Sequence, residues 1–260
     1  DKEGVRGMRT QVWSSGGGTQ SSAIAALIVQ GRLPKPDIAL IVDTGREKTA
    51  TWDYMESTLR PALMAAGVDY LRILKEDYAT VDLFPASGEG STLMPVFTSR
   101  NGAIGKMPAF CSNEWKRRVA MRYLRSVGVK QCDVWMGMST DEMKRVRVPV
   151  EQWFREKYPL IYDVPMSRSA CISLVESMGW PTPPRSSCWM CPHMSDAEWL
   201  DMRTTHPGDF DKAVDLEGEL RLRDGSAWLH RSGKPLATVD LQPFEDTQSA
   251  FAGCDGMCWV

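Results

Sequence analysis

Three consecutive glycines stand where a short apolar run gives way to a helical pattern, and this junction constrains the fold more than any other stretch. The segment SSGGGTQSSAIAA, residues 14–26, follows Val12 and Trp13. Glycine allows positive φ angles and a close approach of backbone to ligand, and a helix N-terminus offers N–H groups to an anion. The junction predicts a strand, a phosphate-binding loop and a helix. The competing interpretation is a glycine turn with Thr19 or Ser21 as helix cap.

A second motif downstream favours the phosphate site. Residues 38–42 are a continuous apolar run, typical of a strand buried on both faces, and the run ends in Asp43, Thr44 and Gly45. A helix is predicted over residues 48–66 and a third strand over residues 69–74. Strands that alternate with long helices predict an α/β fold with a doubly wound, Rossmann-like parallel sheet. Ligands of such sheets bind at the carboxyl ends of the strands, where the GGG and DTG motifs both lie.

The later part of the chain predicts two regions. Residues 79–108 are rich in Gly, Ser and Pro without a clear period, which indicates a long functional or mobile loop. A further strand is predicted over residues 133–138, and helices without alternating strands follow residue 165. We therefore expect a nucleotide-binding domain over residues 8–165 and a mainly helical, cysteine-containing extension over residues 166–260.

The composition excludes several classes of protein. The chain has 260 residues, of which 43% are hydrophobic and 25% charged, as in soluble globular proteins. No apolar stretch reaches the roughly 20 residues of a membrane span, and no signal peptide opens the chain. A cytoplasmic protein without a membrane partner is expected. The net charge of −2 gives no global attraction to nucleic acid, so any contact with a polyanion has to be local.

The seven cysteines, without a secretory context, indicate metal or redox chemistry rather than disulfides. Cys188 and Cys191 have the C-x-x-C spacing of two ligands on one metal, which zinc sites, iron–sulfur clusters and redox dithiols share. Histidines are scarce, so a tetrahedral site would be mainly cysteine. Cys132 and Cys171 lie in apolar contexts and are expected in the core. The cysteines left to complete a site are Cys111, Cys254 and Cys258.

Taken in order, the motifs resemble the family of phosphoadenosine-phosphosulfate (PAPS) reductases and their relatives, the PP-loop adenine nucleotide alpha hydrolases. The resemblance covers most of the chain from Met8 onward and is closest to the PAPS-reductase-like proteins of phages and prophages. It implies a Rossmann-like fold of the HUP type. The matching pieces are GGGTQSS, DTG, CSNEWK, STDEMKR, SSCWMCP and the tail GCDGMCWV.

The resemblance also implies roles for individual residues. Lys116 and Arg145 would meet phosphate or sulfonate oxygens. In cluster-bearing relatives the C-x-x-C pair and an earlier cysteine bind a 4Fe-4S cluster, which implies Cys111, Cys188 and Cys191 here, with Cys254 as a candidate fourth ligand and zinc as the alternative metal. The implied nucleotide-binding residues are Gly16, Gly17, Gly18, Thr19, Gln20, Ser21, Asp43, Thr44, Gly45 and Arg145.

Some positions depart from the pattern of these relatives. The ATP-cleaving members carry an aspartate that helps to place Mg²⁺, and Gln20 stands at that point without the negative charge that Mg²⁺ prefers. PAPS-type reductases tolerate a glutamine there. Cluster-bearing reductases have adjacent cysteines where this chain has Cys111 and Ser112, and they have one tail cysteine where this chain has two. CSNEWK and CWMC resemble the DNA-phosphorothioation sulfur-transfer branch instead.

The leading hypothesis is an iron–sulfur oxidoreductase that resembles PAPS reductase. A tail thiolate, with Cys258 favoured over Cys254, would attack the sulfonate sulfur, and a second thiol would release sulfite. Lys116 would assist, and a thiol reductant such as thioredoxin would be the partner. The alternative is an ATP-dependent sulfurtransferase that acts on DNA or RNA, with Mg²⁺ if ATP is cleaved. A third hypothesis is a non-catalytic nucleotide-binding module with a structural metal. The sequence is compatible with a homo-oligomer in each case.

Overall fold

The computed structural model describes residues 8–84, 92–100, 102–148 and 150–243. The tail with Cys254 and Cys258 lies outside them. The strands are β1 (Thr10–Ser15), β2 (Ile38–Asp43), β3 (Tyr70–Leu74), β4 (Phe97–Arg100), β5 (Ala103–Lys106), β6 (Cys132–Met136), β7 (Phe154–Lys157) and β8 (Ala227–Trp228).

Helices connect these strands and form the C-terminal part. A continuous helical run over residues 49–65 contains a π-helical turn, Met55–Leu59, and a second π-helical turn, Asn113–Arg117, precedes α5. Residues Thr140–Arg145 form a 3₁₀ helix. The α-helices are α1 (Thr19–Val29), α2 (Thr49–Tyr54), α3 (Arg60–Ala65), α4 (Lys75–Tyr78), α5 (Arg118–Ser126), α6 (Pro159–Tyr162), α7 (Arg168–Ser177), α8 (Asp196–Thr205) and α9 (Pro207–Arg223).

A five-stranded sheet in the order β3-β2-β1-β6-β7 forms the centre of the fold, and every neighbouring pair in it is parallel. This confirms the predicted α/β class with a Rossmann-like parallel sheet. On one face of the sheet, Trp13 packs with Leu27 of α1 and Met55. On the other face, Val12 packs with Leu124 of α5. The sheet therefore lies between two helical layers.

A small antiparallel sheet, β5-β4-β8, lies in the region for which the sequence predicts a loop. The prediction of an irregular segment over residues 79–108 is wrong for residues 97–100 and 103–106. These strands are short, and β5 is largely exposed, so they show no hydrophobic alternation. Their third strand, β8, comes from a distant part of the sequence. The edge strand β7, FREK, is likewise too polar and short to be recognised.

The C-terminal helices belong to two different cores. Helix α7 packs against α1, and its Cys171 and Val175 are fully buried in the core beneath that layer. Helices α8 and α9 instead form a separate core around Trp199 and Phe210, together with β8. The predicted boundary near residue 165 stays a prediction. Within the described residues, no helix combines the length and the apolar character that a membrane crossing demands.

A buried carboxylate on β6 joins the parallel strands at one end of the sheet. Asp133 forms ion pairs with Arg9 at 2.5 Å, Arg155 at 2.9 Å and Lys157 at 2.9 Å. Burial alone would raise the pKa of Asp133, but hydrogen bonds from Lys157, Arg9 and Arg155 outweigh it and bring the pKa to about 2. The negative charge is thus stabilised in the folded protein.

We predict that Asp133→Asn lowers the free energy of unfolding at neutral pH by about 1–3 kcal/mol, because charged hydrogen bonds are lost. The folded-state pKa of about 2 lies below the usual 3.8, so the stabilising contribution is complete above about pH 4 and disappears as the pH falls toward 2. Urea unfolding at several pH values measures the difference from wild type. The exposed Asp211→Asn serves as control, and a deficit that stays constant down to pH 2.5 would contradict the prediction.

Candidate functional site

The glycine loop leads from β1 into α1 in the predicted way. Gly17 has a φ of 72°, in the left-handed region. The N–H of Gly16 donates to Ser21 Oγ at 2.9 Å, and the N–H of Gly17 donates to Ser15 Oγ at 3.2 Å. Gly18 is the N-cap of α1, and among the described residues no side chain caps it. The strand–loop–helix form is thus as predicted. Helix N-termini of this kind can bind anions, and the role of this loop as a phosphate site stays a prediction.

Two other predicted residues on the loop side form contacts within the protein. Gln20 Nε2 donates to Glu142 Oε2 at 2.9 Å, and Arg145 forms an ion pair with Glu142. Glu142 also closes a capping box with Ser139 at the start of the 3₁₀ helix. Glu142 thus connects Arg145 to Gln20 of the loop. Direct contact of Arg145 with a ligand stays a prediction.

The DTG motif forms a tight turn at the end of β2. Asp43 accepts a hydrogen bond from the N–H of Gly45 at 2.7 Å, and the φ of Gly45 is 69°. The same carboxylate binds Arg72 at 2.5 Å. Thr44 Oγ1 accepts from the N–H of Arg46 at 3.2 Å. Asp43 therefore holds the turn and the neighbouring strand, and its predicted place near an adenosine stays a prediction.

The segment with the C-x-x-C motif runs alongside the residues that follow this turn. Cys188 forms an antiparallel bridge with Glu47. The N–H of Trp189 donates to the carbonyl of Arg46 at 2.8 Å, and the N–H of Lys48 donates to the carbonyl of Ser187 at 3.2 Å. The C-terminal part of the chain is thereby joined to the carboxyl end of β2.

The C-x-x-C segment also touches the glycine loop. A Cβ atom on Gly18 would lie 2.7 Å from Ser186 Oγ, so Ser186 would have to shift to make room for a side chain there. The Arg46 side chain lies between two aromatic rings, 5.8 Å from the Trp115 centroid and 5.7 Å from the Trp189 centroid. Loop, turn and cysteine segment therefore form one continuous site.

Lys116 is the basic residue that enters this site. Its Nζ lies 2.9 Å from Glu47 Oε1, and the two side chains are 18% and 2% exposed. Burial lowers the pKa of Lys116, but Glu47 and Cys188 outweigh burial and raise it, so the ammonium stays charged. A cavity beside the pair is lined by Ser14, Ser15, Gly16, Ile41, Val42, Glu47 and Lys116.

The other basic residues of this helix have structural partners. Arg117 pairs with Glu151 and Glu156. Arg118 pairs with Glu114 one turn away. Two further contacts complete the set: Arg122 donates to the Tyr78 carbonyl, and Arg125 stacks on Trp153. Of the basic residues of this helix, only Lys116 lines the cavity.

The three cysteines predicted as ligands pack against one core and are all free thiols. Burial, with a smaller contribution from the neighbouring Cys191, raises the pKa of Cys111 to about 11. Burial raises the pKa of Cys188 well above its usual value, and Glu47 adds to this. The pKa of Cys191 is also raised by burial. The thiols are therefore protonated at neutral pH, and a metal would have to displace their protons.

Among the residues that the structure describes, no group of three or more His, Cys, Asp or Glu side chains is placed to hold a metal ion. The metal site predicted for Cys111, Cys188 and Cys191, with a 4Fe-4S cluster or zinc, therefore stays a prediction. Three cysteine sulfurs are soft donors of the kind that iron–sulfur clusters take. Cys132 and Cys171 are fully buried, as predicted for core residues.

Glu47 is the site residue that the sequence analysis missed. It lies two residues after DTG and carries no spacing signal of its own. Its side chain contacts Lys116 and Thr44, and its Oε1 lies 4.0 Å from Cys188 Sγ. Glu47 belongs to the site because the distant cysteine segment pairs with this turn in the folded protein.

No family model matches the chain, and no curated protein does. The crystal structure of phosphoadenylyl-sulfate (PAPS) reductase from Candida auris, a phosphate complex, is 12% identical, with a TM-score of 0.42 over 69% of this chain and 77% of that one. The U34-tRNA thiolase NcsA from Methanococcus maripaludis, with its [4Fe-4S] cluster, is 15% identical, with a TM-score of 0.43 over 83% of this chain and 72% of that one. At TM-scores below 0.5, these likenesses support no conclusion about what this chain binds or does.

We predict that Gly17→Ala weakens the binding of ATP, used as a probe of the loop, by about tenfold or more. The new Cβ would lie 2.7 Å from Thr51 Cγ2, so the loop or α2 has to shift, which costs about 1–3 kcal/mol. Gly31→Ala is the matched control, because Gly31 also has a positive φ of 69° but no described atom within 4 Å of the new Cβ. Calorimetry measures the ATP affinity of both variants. Equal affinities would refute the assignment of the loop as a phosphate site.

Proposed function

We propose that this chain is an adenine-nucleotide-dependent enzyme of sulfur chemistry, in which the phosphate loop and the cysteines serve one reaction. The observation that carries the proposal is the double contact of the C-x-x-C segment. Ser186 lies against Gly18 of the loop, and Cys188 pairs with Glu47 at the end of β2. Ligands of parallel sheets bind at the carboxyl ends of the strands. Cysteine sulfurs and a phosphate site at that same edge would allow sulfur to be transferred to or from a nucleotide-activated group.

Cys111, Cys188 and Cys191 would hold a 4Fe-4S cluster, and a fourth ligand would come from Cys254 or from outside the chain. When bound, the cluster supplies electrons or a sulfur-binding iron atom. The protein's own contribution is to bury the three thiols and to place Lys116 beside Cys188, where its charge stabilises the thiolate form that a ligand has to adopt. Zinc stays the alternative metal only with a ligand from the tail.

The leading reaction is the reduction of a sulfonucleotide such as PAPS. A thiolate of the tail, Cys258 or Cys254, attacks the sulfonate sulfur, the sulfur–oxygen bond breaks, and the adenosine phosphate leaves with the bonding electrons. A second thiol, from the other tail cysteine or from a reductant such as thioredoxin, then attacks the resulting thiosulfonate. A disulfide forms and sulfite is released. The loop amides and Lys116 would stabilise the charge on the leaving phosphate.

The second candidate is ATP-dependent sulfur insertion into DNA or RNA, and Glu47 is the observation that favours it. A buried carboxylate in the cavity repels a bare sulfonucleotide, whereas a nucleotide that carries Mg²⁺ neutralises it. The loop would then bind ATP and activate the target by adenylation, and the cysteine site would deliver sulfur. A cytoplasmic location and self-association stay predictions under both candidates.

The cluster is tested on anaerobically purified protein. We expect about four iron atoms and four sulfide ions per chain, and Cys188→Ala should lose most of both, because it removes a thiolate ligand. Cys132→Ala is the matched control, since Cys132 is buried in the core at the start of β6 and this variant should keep wild-type iron. Stoichiometric zinc without iron, or wild-type iron in Cys188→Ala, would overturn the cluster.

The reaction is tested by incubating the anaerobic protein with PAPS and a thiol reductant, and separately with Mg²⁺, ATP and nucleic acid. Sulfite from PAPS identifies the reductase, and pyrophosphate with AMP from ATP identifies the sulfurtransferase. Lys116→Met should reduce either activity by about 100-fold or more, because the leaving phosphate loses its cation. Arg118→Met is the control. Nucleotide binding without any product would leave the non-catalytic module as the correct hypothesis.

A further inference from the structure

Glu47 has one carboxylate oxygen that the protein itself does not use. Oε1 binds Lys116 and accepts from Thr44. Oε2 is buried and has no hydrogen-bond partner among the described residues. Leaving a charged oxygen without a partner in a protein interior is costly, so such a group indicates a partner that arrives with a ligand. Glu47 lines the cavity together with Ser14, Ser15 and Gly16 of the phosphate loop.

The carboxylate creates an electrostatic conflict for a phosphate. An anion at the loop would approach Lys116, but Lys116 is already neutralised by Glu47 at 2.9 Å. Two negative groups that share a small cavity repel each other strongly where water is largely excluded. The conflict is resolved if a cation lies between the phosphate and Glu47. Carboxylate oxygens together with substrate phosphates are the usual ligands of Mg²⁺.

The neighbouring polar side chains do not offer such a cation a free carboxylate oxygen. Gln20, at the first turn of α1, is neutral and donates its amide to Glu142. Glu142 itself is bound by Arg145 and by the amide of Ser139. Asp43 is bound by Arg72 and Gly45. Among the described acidic residues of this sheet edge, Glu47 is the one that combines an unused oxygen with a place on the cavity wall.

We propose that Glu47 is the protein's ligand for a divalent cation of the Mg²⁺ class, which enters the site together with the nucleotide phosphates. The cation would bridge Glu47 Oε2 and the phosphate oxygens, while Lys116 stays on Oε1. Glu47 thus gives the site a preference for a metal-bearing nucleotide over a bare anion. This inference rests on the proposed function, because it requires a phosphate at the loop.

The test compares ATP binding with and without Mg²⁺ by calorimetry. Wild type should bind ATP at least about tenfold more tightly with Mg²⁺ than in chelator, a difference of about 1.4 kcal/mol. Glu47→Gln should lose this dependence, and in chelator it should bind ATP more tightly than wild type, since the repulsion is gone and Lys116 is free. Glu56→Gln is the matched control, an ion-paired glutamate at the exposed start of the π-helical turn.

A second readout does not depend on affinity for ATP alone. With Mn²⁺ as the probe, electron paramagnetic resonance should show a protein–Mn²⁺–ATP complex in wild type and Glu56→Gln and not in Glu47→Gln. Glu47→Asp keeps the carboxylate and should recover the Mn²⁺ signal at reduced affinity, which guards against a variant that fails merely because the pair with Lys116 is broken.

The outcomes separate the inference from the proposed function. If ATP binds and Glu47→Gln keeps both the Mg²⁺ dependence and the Mn²⁺ complex, the inference is overturned and the phosphate site stands. If ATP, PAPS and pyrophosphate fail to bind to any variant with or without metal, the proposed function falls and the inference falls with it. Loss of metal dependence in Glu47→Gln, with recovery in Glu47→Asp, establishes Glu47 as the ligand.

Discussion

The arrangement of the site depends on one buried ion pair, Lys116 with Glu47. The two residues lie on different elements, one in the helix that Cys111 opens and the other just after β2. Burying two charges costs several kcal/mol each, and their attraction offsets this cost only at close range and in good geometry. A nonpolar pair of the same size would therefore hold the two elements together at least as well. The two charges are better explained by the cavity beside them, because a ligand that entered the cavity would contact both Glu47 and Lys116.

The same pair explains how the cysteines and the loop share one chemical environment. Cys188 Sγ lies 4.0 Å from the Glu47 carboxylate. The carboxylate raises the pKa of Cys188, and the Lys116 ammonium lowers it. Burial dominates, and the free thiols stay protonated. A charged group that bound at the glycine loop would therefore act on the Cys188 thiol through Lys116 and Glu47, and not through a long chain of contacts.

Local patterns were sufficient to predict the parallel sheet and the loop. The apolar run of β2 and the helical spacing of α1 reflect the burial of these elements themselves, so the strand–loop–helix unit could be recognised from the sequence. The small sheet could not, because β4 and β8 pair across more than half of the chain and neither is hydrophobic enough to show a period. Glu47 was missed for the same physical reason, since its role arises from Lys116 and Cys188, which come from distant segments.

The antiparallel bridge between Glu47 and Cys188 joins residues that are 141 positions apart. Closing a loop of this length costs conformational entropy, although the cost rises only slowly with loop length. Cys188 and Cys191 are close in sequence, but Cys188 meets Glu47 and Lys116 only in the folded chain, where the bridge joins the two segments. A ligand that contacted the glycine loop and the cysteine segment at once would therefore require the completed fold.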